Sequence, residues 1–191
     1  MILQPSRQGG FTLLELMITI AIAVIVTSAV TAGWRGLVDN ANSQRIQSTL
    51  IQSFAEARSE AVTRNQITTI CPLDANGVCY ADWDAPISVF IDPNNDRALT
   101  ATTRLIHVHH SIPTGYLTAS KSGPTERRYF QYNPDGSSKG TIGNITWCPG
   151  NGDATRAIQL RLNFGGRVTW ATDSNGDGIR EDSQGQALVC S

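Results

Sequence analysis

Gly10-Phe11-Thr12-Leu13-Leu14-Glu15 opens a run, Leu16-Met17-Ile18-Thr19-Ile20-Ala21-Ile22-Ala23-Val24-Ile25-Val26, which continues through small residues to Gly33. The eighteen residues from Leu16 to Gly33 carry no charge. As a helix they extend roughly 27 Å, close to the roughly 30 Å of a bilayer's hydrocarbon core. Trp34 and Arg35 close the run as an interfacial aromatic and a cation would. A secretory signal peptide does not fit. Only Arg7 precedes the core, Gly9 and Gly10 stand before it, the core is too long, and helical sequence continues beyond it. A plain anchor does not account for Glu15. An unpartnered carboxylate there costs about a few kcal/mol in lipid, so it reads as functional, with its partner supplied from elsewhere.

Beyond Arg35 the apolar residues keep helical spacing: Ile46, Leu50, Phe54, Ala57 and Ala61 lie on one stripe, with Asn42, Gln44, Gln47, Glu56 and Ser59 largely off it. The helix is expected to end near Arg64-Asn65 and to pack on a sheet. From Ile67 the period becomes two. Strands are expected at 67–71, 87–91, 104–110, 128–132 and 142–147. Ile158, Leu160, Leu162 and Phe164 alternate with Gln159, Arg161 and Asn163, as in a half-buried strand. Gly165-Gly166 reads as a hairpin turn into Arg167-Val168-Thr169-Trp170, and 187–190 as a closing strand.

These 191 residues suffice for one domain of ordinary size with an added element. Fifteen Lys and Arg against sixteen Asp and Glu leave a net charge of −1, which excludes a strongly basic nucleic-acid binder as the default. Charged residues are only 16%, which argues against a disordered tail. No nucleophile motif, phosphate loop or nucleotide fingerprint is present, and no enzymatic activity is expected.

The stretch from Gly10 to Glu15 with its apolar run resembles the signature of type IV prepilins. The resemblance implies an α+β type IV pilin fold, a long N-terminal helix packed on an antiparallel β-sheet domain. It implies cleavage by prepilin peptidase between Gly10 and Phe11, N-methylation of Phe11, and an assembly role for Glu15. The expected organisation is a cleaved leader at 1–10, a transmembrane helix half at 11–34, an amphipathic half at 35–66 and a periplasmic β-rich domain at 67–191. In a filament the α-amino group of a neighbouring subunit is a cation near neutral pH, able to pair with Glu15 and fix axial register. Ala32 stands where many major pilins carry a helix-kinking Pro.

Arg58-Ser59-Glu60-Ala61 with Arg64, then Ile70-Cys71, Phe90-Ile91-Asp92 and Gly166-Arg167-Val168, are similar to the GspH/FimT/FimU group of minor pilins and pseudopilins. The implied role is a minor subunit in the inner membrane that joins other minor subunits and the major pilin. It would prime or cap a filament of a pilus or a type II secretion system. The alternatives are a pilus-tip DNA receptor and a secretion substrate adaptor. DNA-binding members carry Gly-Arg-x-Arg in the hairpin; here Gly166-Arg167-Val168-Thr169 lacks the second Arg, leaving Arg167 as the first candidate contact. Arg127-Arg128-Tyr129-Phe130 mixes cations and aromatics, and Arg156 and Arg161 precede Arg167. From Asp39 on the net charge is −2, so attraction to phosphate would be local.

The prepilin route places the domain outside the inner membrane, where disulfides form. Four cysteines allow three pairings. We favour Cys71–Cys79, clipping a short loop, and Cys148–Cys190, tying back the C-terminus; no CxxC pair marks a zinc site. Asp173, Asn175 and Asp177, with Gly178 at position six, match the first half of a calcium loop, but position twelve is Gln184. Glu181 and Asp182 are possible substitutes. Asp92-Pro93-Asn94-Asn95-Asp96 repeats the spacing with Arg97 in place of Gly. A polar turn is the plainer reading of both, and no resident cofactor is expected. His107 and His109 share a strand face, with His110 on the other; two ligands are offered and no third is indicated.

Overall fold

The computed structural model describes residues 12–110 and 114–190, with side chains for all of these but 28–40. Gly10 and Phe11 lie outside the described residues. The chain divides into two units, Met1–Val38 and Asp39–Ser191. One helix, α1 (Leu13–Arg64), contributes to both.

Thr12 and Glu15 start α1 as a capping pair: the Glu15 N–H donates to Thr12 Oγ1 at 3.2 Å, and the acid sits at the positive end of the helix. Asn65 ends it in the left-handed region at φ 54. There the Asn65 N–H donates to the Val62 carbonyl and the Gln66 N–H to the Ala61 carbonyl, which satisfies the last carbonyls of the helix.

In the first unit every described side chain from Thr12 to Thr27 is exposed, including Leu13, Leu14, Met17, Ile18, Ile20, Ile22, Val24 and Ile25. Among the described residues no helix is long and apolar enough to cross a membrane. The apolar run read from the sequence extends to Gly33, past the described side chains.

The second unit holds two four-stranded antiparallel sheets where the sequence suggested one. The first has β1 (Thr68–Pro72) and β2 (Ile87–Ile91) at its centre, flanked by β3 (Arg104–His109) and β7 (Phe130–Tyr132). The second runs in the order β10 (Val168–Trp170), β9 (Ile158–Leu162), β8 (Gly143–Pro149), β4 (Gly115–Ala119). A two-stranded hairpin, β5 (Lys121–Ser122) and β6 (Thr125–Glu126), leads from one sheet to the other.

The stripe Ile46, Leu50, Phe54, Ala57, Ala61 is at most 1% exposed and shares one cluster with both sheets. Ile70, Val89 and Phe130 join from the first sheet, and Ile145, Trp147, Ile158 and Leu160 from the second. Phe54 meets Phe130 edge-on with centroids 5.3 Å apart, and Trp83 meets Phe130 at 5.5 Å. Smaller clusters lie off this core. Cys71, Cys79 and Phe90 form one, with Leu73 and Tyr129. Cys148, Ala157, Ala171 and Leu188 form another, with Tyr116, Ile179 and Cys190.

This second layer corrects the half-buried reading of β9. Gln159 is 5% exposed and donates from Nε2 to Thr146 Oγ1 across the strand pair at 3.0 Å. Phe164, expected inside, is 70% exposed, because β9 stops at Leu162 and the chain turns over Asn163–Gly166. Gly166 adopts φ +73, and a Cβ there would stand 2.0 Å from the Gly136 carbonyl oxygen, so only glycine fits. The closing strand at 187–190 is not formed. Ala187 makes a single bridge to Glu181, and the Leu188 N–H donates to the Arg180 carbonyl. The disulfide holds the segment in place of a ladder. β4, which the sequence reading passed over, pairs along its whole length with β8.

The structure joins Cys71 to Cys79 and Cys148 to Cys190, with Cα atoms 5.5 and 5.7 Å apart. Replacing Cys148 and Cys190 together by Ser is expected to remove about 4 kcal/mol of stability, and the Cys71–Cys79 pair about 2.5 kcal/mol, on the chain-entropy account. Denaturant unfolding of the full chain in detergent micelles checks the order. Hydrogen exchange should quicken over 179–190 only in the first variant.

Candidate functional site

Glu15 lies in the first turn of α1 with its side chain exposed among exposed aliphatic residues. A carboxylate there is presented to whatever covers that apolar surface.

The calcium-like motif lies in the loop after β10. Asp173 Oδ1 accepts from the Gly176 N–H and Oδ2 from the Gly178 N–H, at 2.7 and 2.9 Å. Asn175 Oδ1 accepts from the Asp177 N–H, and Asp177 Oδ1 from the Ile179 N–H. Asp173, Asp177 and Glu181 each bring a carboxylate oxygen to within 4.8 Å of the others. Glu181 is 5% exposed; its Oε2 accepts from the backbone and hydroxyl of Ser174, and its Oε1 is buried without a hydrogen-bond partner. Glu181 thus joins the cluster at loop position nine. Asp182 turns to the N–H groups of Gln184 and Gln186.

The repeat at Asp92 has a different fate. Asp92 is fully buried, and its oxygens accept from Thr69 Oγ1 at 2.8 Å and from the N–H groups of Asp96 and Arg97 at 2.7 and 3.0 Å. Gln131 Nε2 links Thr69 Oγ1 and Asn95 Oδ1. Arg97 takes the left-handed conformation of the missing Gly, at φ 56. This carboxylate organises a turn.

His107 and His109 do share a face, and their rings stack at 4.2 Å. Contrary to the sequence reading, a third group converges on them: Glu56 Oε2 of α1 lies 3.7 Å from His107 Nδ1 and 3.4 Å from His109 Nε2. Helical spacing placed Glu56 off the buried stripe, but only the fold shows that β3 runs beside it.

The basic residues divide: Arg127 and Arg161 line one groove, and Arg156 and Arg167 do not. Arg156 pairs with Asp153, and Arg161 donates to the Trp170 carbonyl at 3.0 Å. Arg127 lies over Phe130, and burial pushes its guanidinium below its ordinary pKa. Lys121, Arg127 and Arg161 line a groove of about 530 Å³ with Thr169 and Phe164. Arg167 is exposed on the hairpin, its N–H held by Asn163 Oδ1, and is not among the lining residues.

A helix with an apolar, acid-bearing N-terminal half and a β domain packed on its other half defines a filament-type subunit. Residues 5–31 match the prokaryotic N-terminal methylation motif. Residues 47–166 match the family described as type II transport protein GspH, and the chain belongs to that family of minor pilins and pseudopilins. Among solved structures it is similar to the type IV minor pilin FimU of Pseudomonas aeruginosa (strain PAO1) in two crystal forms. In space group P21 the identity is 20%, over 78% of this chain and 96% of that one, with a TM-score of 0.47. In P65 it is 21%, over 66% and 92%, with a TM-score of 0.44. No curated protein sequence matches.

Asp92→Ala leaves the buried Thr69 hydroxyl without its acceptor and unpairs the part-buried N–H groups of Asp96 and Arg97. It is expected to cost about 3–4 kcal/mol, whereas Asp92→Asn, which keeps an acceptor, costs about 1–2 kcal/mol. Unfolding curves followed by tryptophan fluorescence measure both.

Proposed function

We propose that this chain acts by position, as a minor pseudopilin or minor pilin anchored in the inner membrane with its β domain in the periplasm. It joins other minor subunits and the major pilin through the N-terminal half of α1, priming or capping a filament. Prepilin peptidase removes 1–10 and methylates Phe11. The observation that carries this reading is the uncovered apolar surface of residues 12–27 with Glu15 at its head. A helix apolar all round requires lipid or neighbouring helices. Pairing of Glu15 with a neighbour's α-amino group sets register more than it adds stability. The DNA-receptor reading has less support, since Arg156 and Arg161 are engaged internally and Thr169 stands where a second arginine is wanted.

Glu15→Val lowers the cost of membrane insertion, so membrane levels should hold while co-purification with partner minor subunits falls severalfold. Undiminished co-purification and filament number would remove Glu15 from assembly.

We propose further that the loop from Asp173 to Glu181 takes a calcium ion. Support comes from the buried, unpartnered Glu181 Oε1 beside the oxygens of Asp173 and Asp177. With the affinity usual for extracytoplasmic modules, 5 mM Ca²⁺ should stabilise the full chain by about 1–2 kcal/mol. Asp177→Asn should abolish that gain; a thermal shift indifferent to Ca²⁺ defeats the assignment.

A further inference from the structure

We propose that Glu56, His107 and His109 form a binding site for a divalent transition-metal ion of the zinc class, clamping the edge strand β3 to α1. This is independent of the assembly role and of the calcium loop. His107 and His109 are two residues apart on β3, so both imidazoles leave the same face. β3 is an edge strand, with β2 on its one paired side. Glu56 reaches them from the helix within the same unit.

The distances suit one ion. Two ligand atoms bound tetrahedrally to zinc stand about 3.3 Å apart. Glu56 Oε2 is 3.4 Å from His109 Nε2 and 3.7 Å from His107 Nδ1, and all three donor atoms lie within 4.8 Å of one another. Closing the set requires the imidazoles to turn out of their parallel stack so that both ring planes meet the ion, a rotation open to His107, whose side chain is 52% exposed. Two imidazoles and one carboxylate are a ligand set for zinc that leaves a fourth position open.

His109 supplies the second, independent observation. It is 9% exposed, and its Nε2 is buried without a hydrogen-bond partner, with the Glu56 carboxylate 3.4 Å away. A buried ring nitrogen aimed at a carboxylate and a second imidazole is satisfied by a cation between them.

The two rings face one another at 4.2 Å with planes 8° apart, so both present their edges along the same side of the strand. Entry is open, because the His107 and Glu56 side chains are 52% and 32% exposed.

The test uses the full chain in detergent micelles, freed of metal with a chelator and dialysed. Titration with zinc chloride by calorimetry should give one ion per chain with a micromolar or tighter Kd. Cobalt(II) should give the visible absorption of a low-coordinate nitrogen and oxygen site. His107→Gln changes an exposed group and Glu56→Gln a half-buried one of the same size, and both keep the fold. Each should weaken zinc on the order of tenfold or more and remove the cobalt spectrum, while Asp177→Asn leaves both unchanged. Absence of one-to-one binding in the wild type overturns the site. So does zinc binding of unchanged strength in both Glu56→Gln and His107→Gln, since the ion then sits elsewhere.

Discussion

The burial of one helix stripe against two sheets at once is the constraint from which the rest of the domain follows. Ile46, Leu50, Phe54, Ala57 and Ala61 share a single cluster with residues of both four-stranded sheets, so neither sheet has a complete core without the helix. Each large aliphatic or aromatic side chain buried there is worth about 1.5–3 kcal/mol. The small Ala57 and Ala61, near the helix end, allow close approach where a larger residue would overpack. Phe54 stands at the junction, against Phe130 and Tyr132 of β7, the edge of the first sheet. What remains to be covered falls to two small clusters, each built around a disulfide. The covalent bond holds the C-terminal segment where a single isolated bridge would not.

The two Asp–Asn–Asp loops show how the same spacing takes opposite roles. At Asp92 the loop leaves β2, a central strand. Thr69 from β1 and Gln131 from β7 reach the turn, and the carboxylate oxygens are filled by protein donors. After β10 the loop leaves an edge strand. There Asp173, Asp177 and Glu181 have only their own loop's donors around them, and one oxygen of Glu181 is left unmatched. Sheet position separates a turn organiser from a candidate cation site.

The N-terminal half of α1 has the opposite balance from the domain. Its described side chains are apolar and uncovered, with one carboxylate at the head. A surface of this kind is incomplete without lipid or a second helix, in keeping with membership of the GspH family.

The N-terminal signature, the helix stripe and β2 at Ile87–Ile91 were legible in the linear chain, whereas the cysteines left three pairings open, of which the favoured one is the one formed. Each of the first three is a local pattern: a motif, a 3.6-residue period, an apolar run between turns. β4, the division into two sheets and the burial of Gln159 were not legible. They depend on what covers each sheet's second face, and that comes from segments distant in sequence. Phe164 was misread because alternation says nothing of where a strand stops; the clash that admits only Gly166 beneath Gly136 sets the turn. Of the candidate sites, the sequence alone singled out Glu15 and the Asp173, Asn175, Asp177 spacing. Only the tertiary structure brought Glu181 to the loop and set Glu56, about fifty residues earlier in the chain, beside His107 and His109. A ligand set shared between a helix and a strand has no fixed spacing along the chain, so packing alone assembles it.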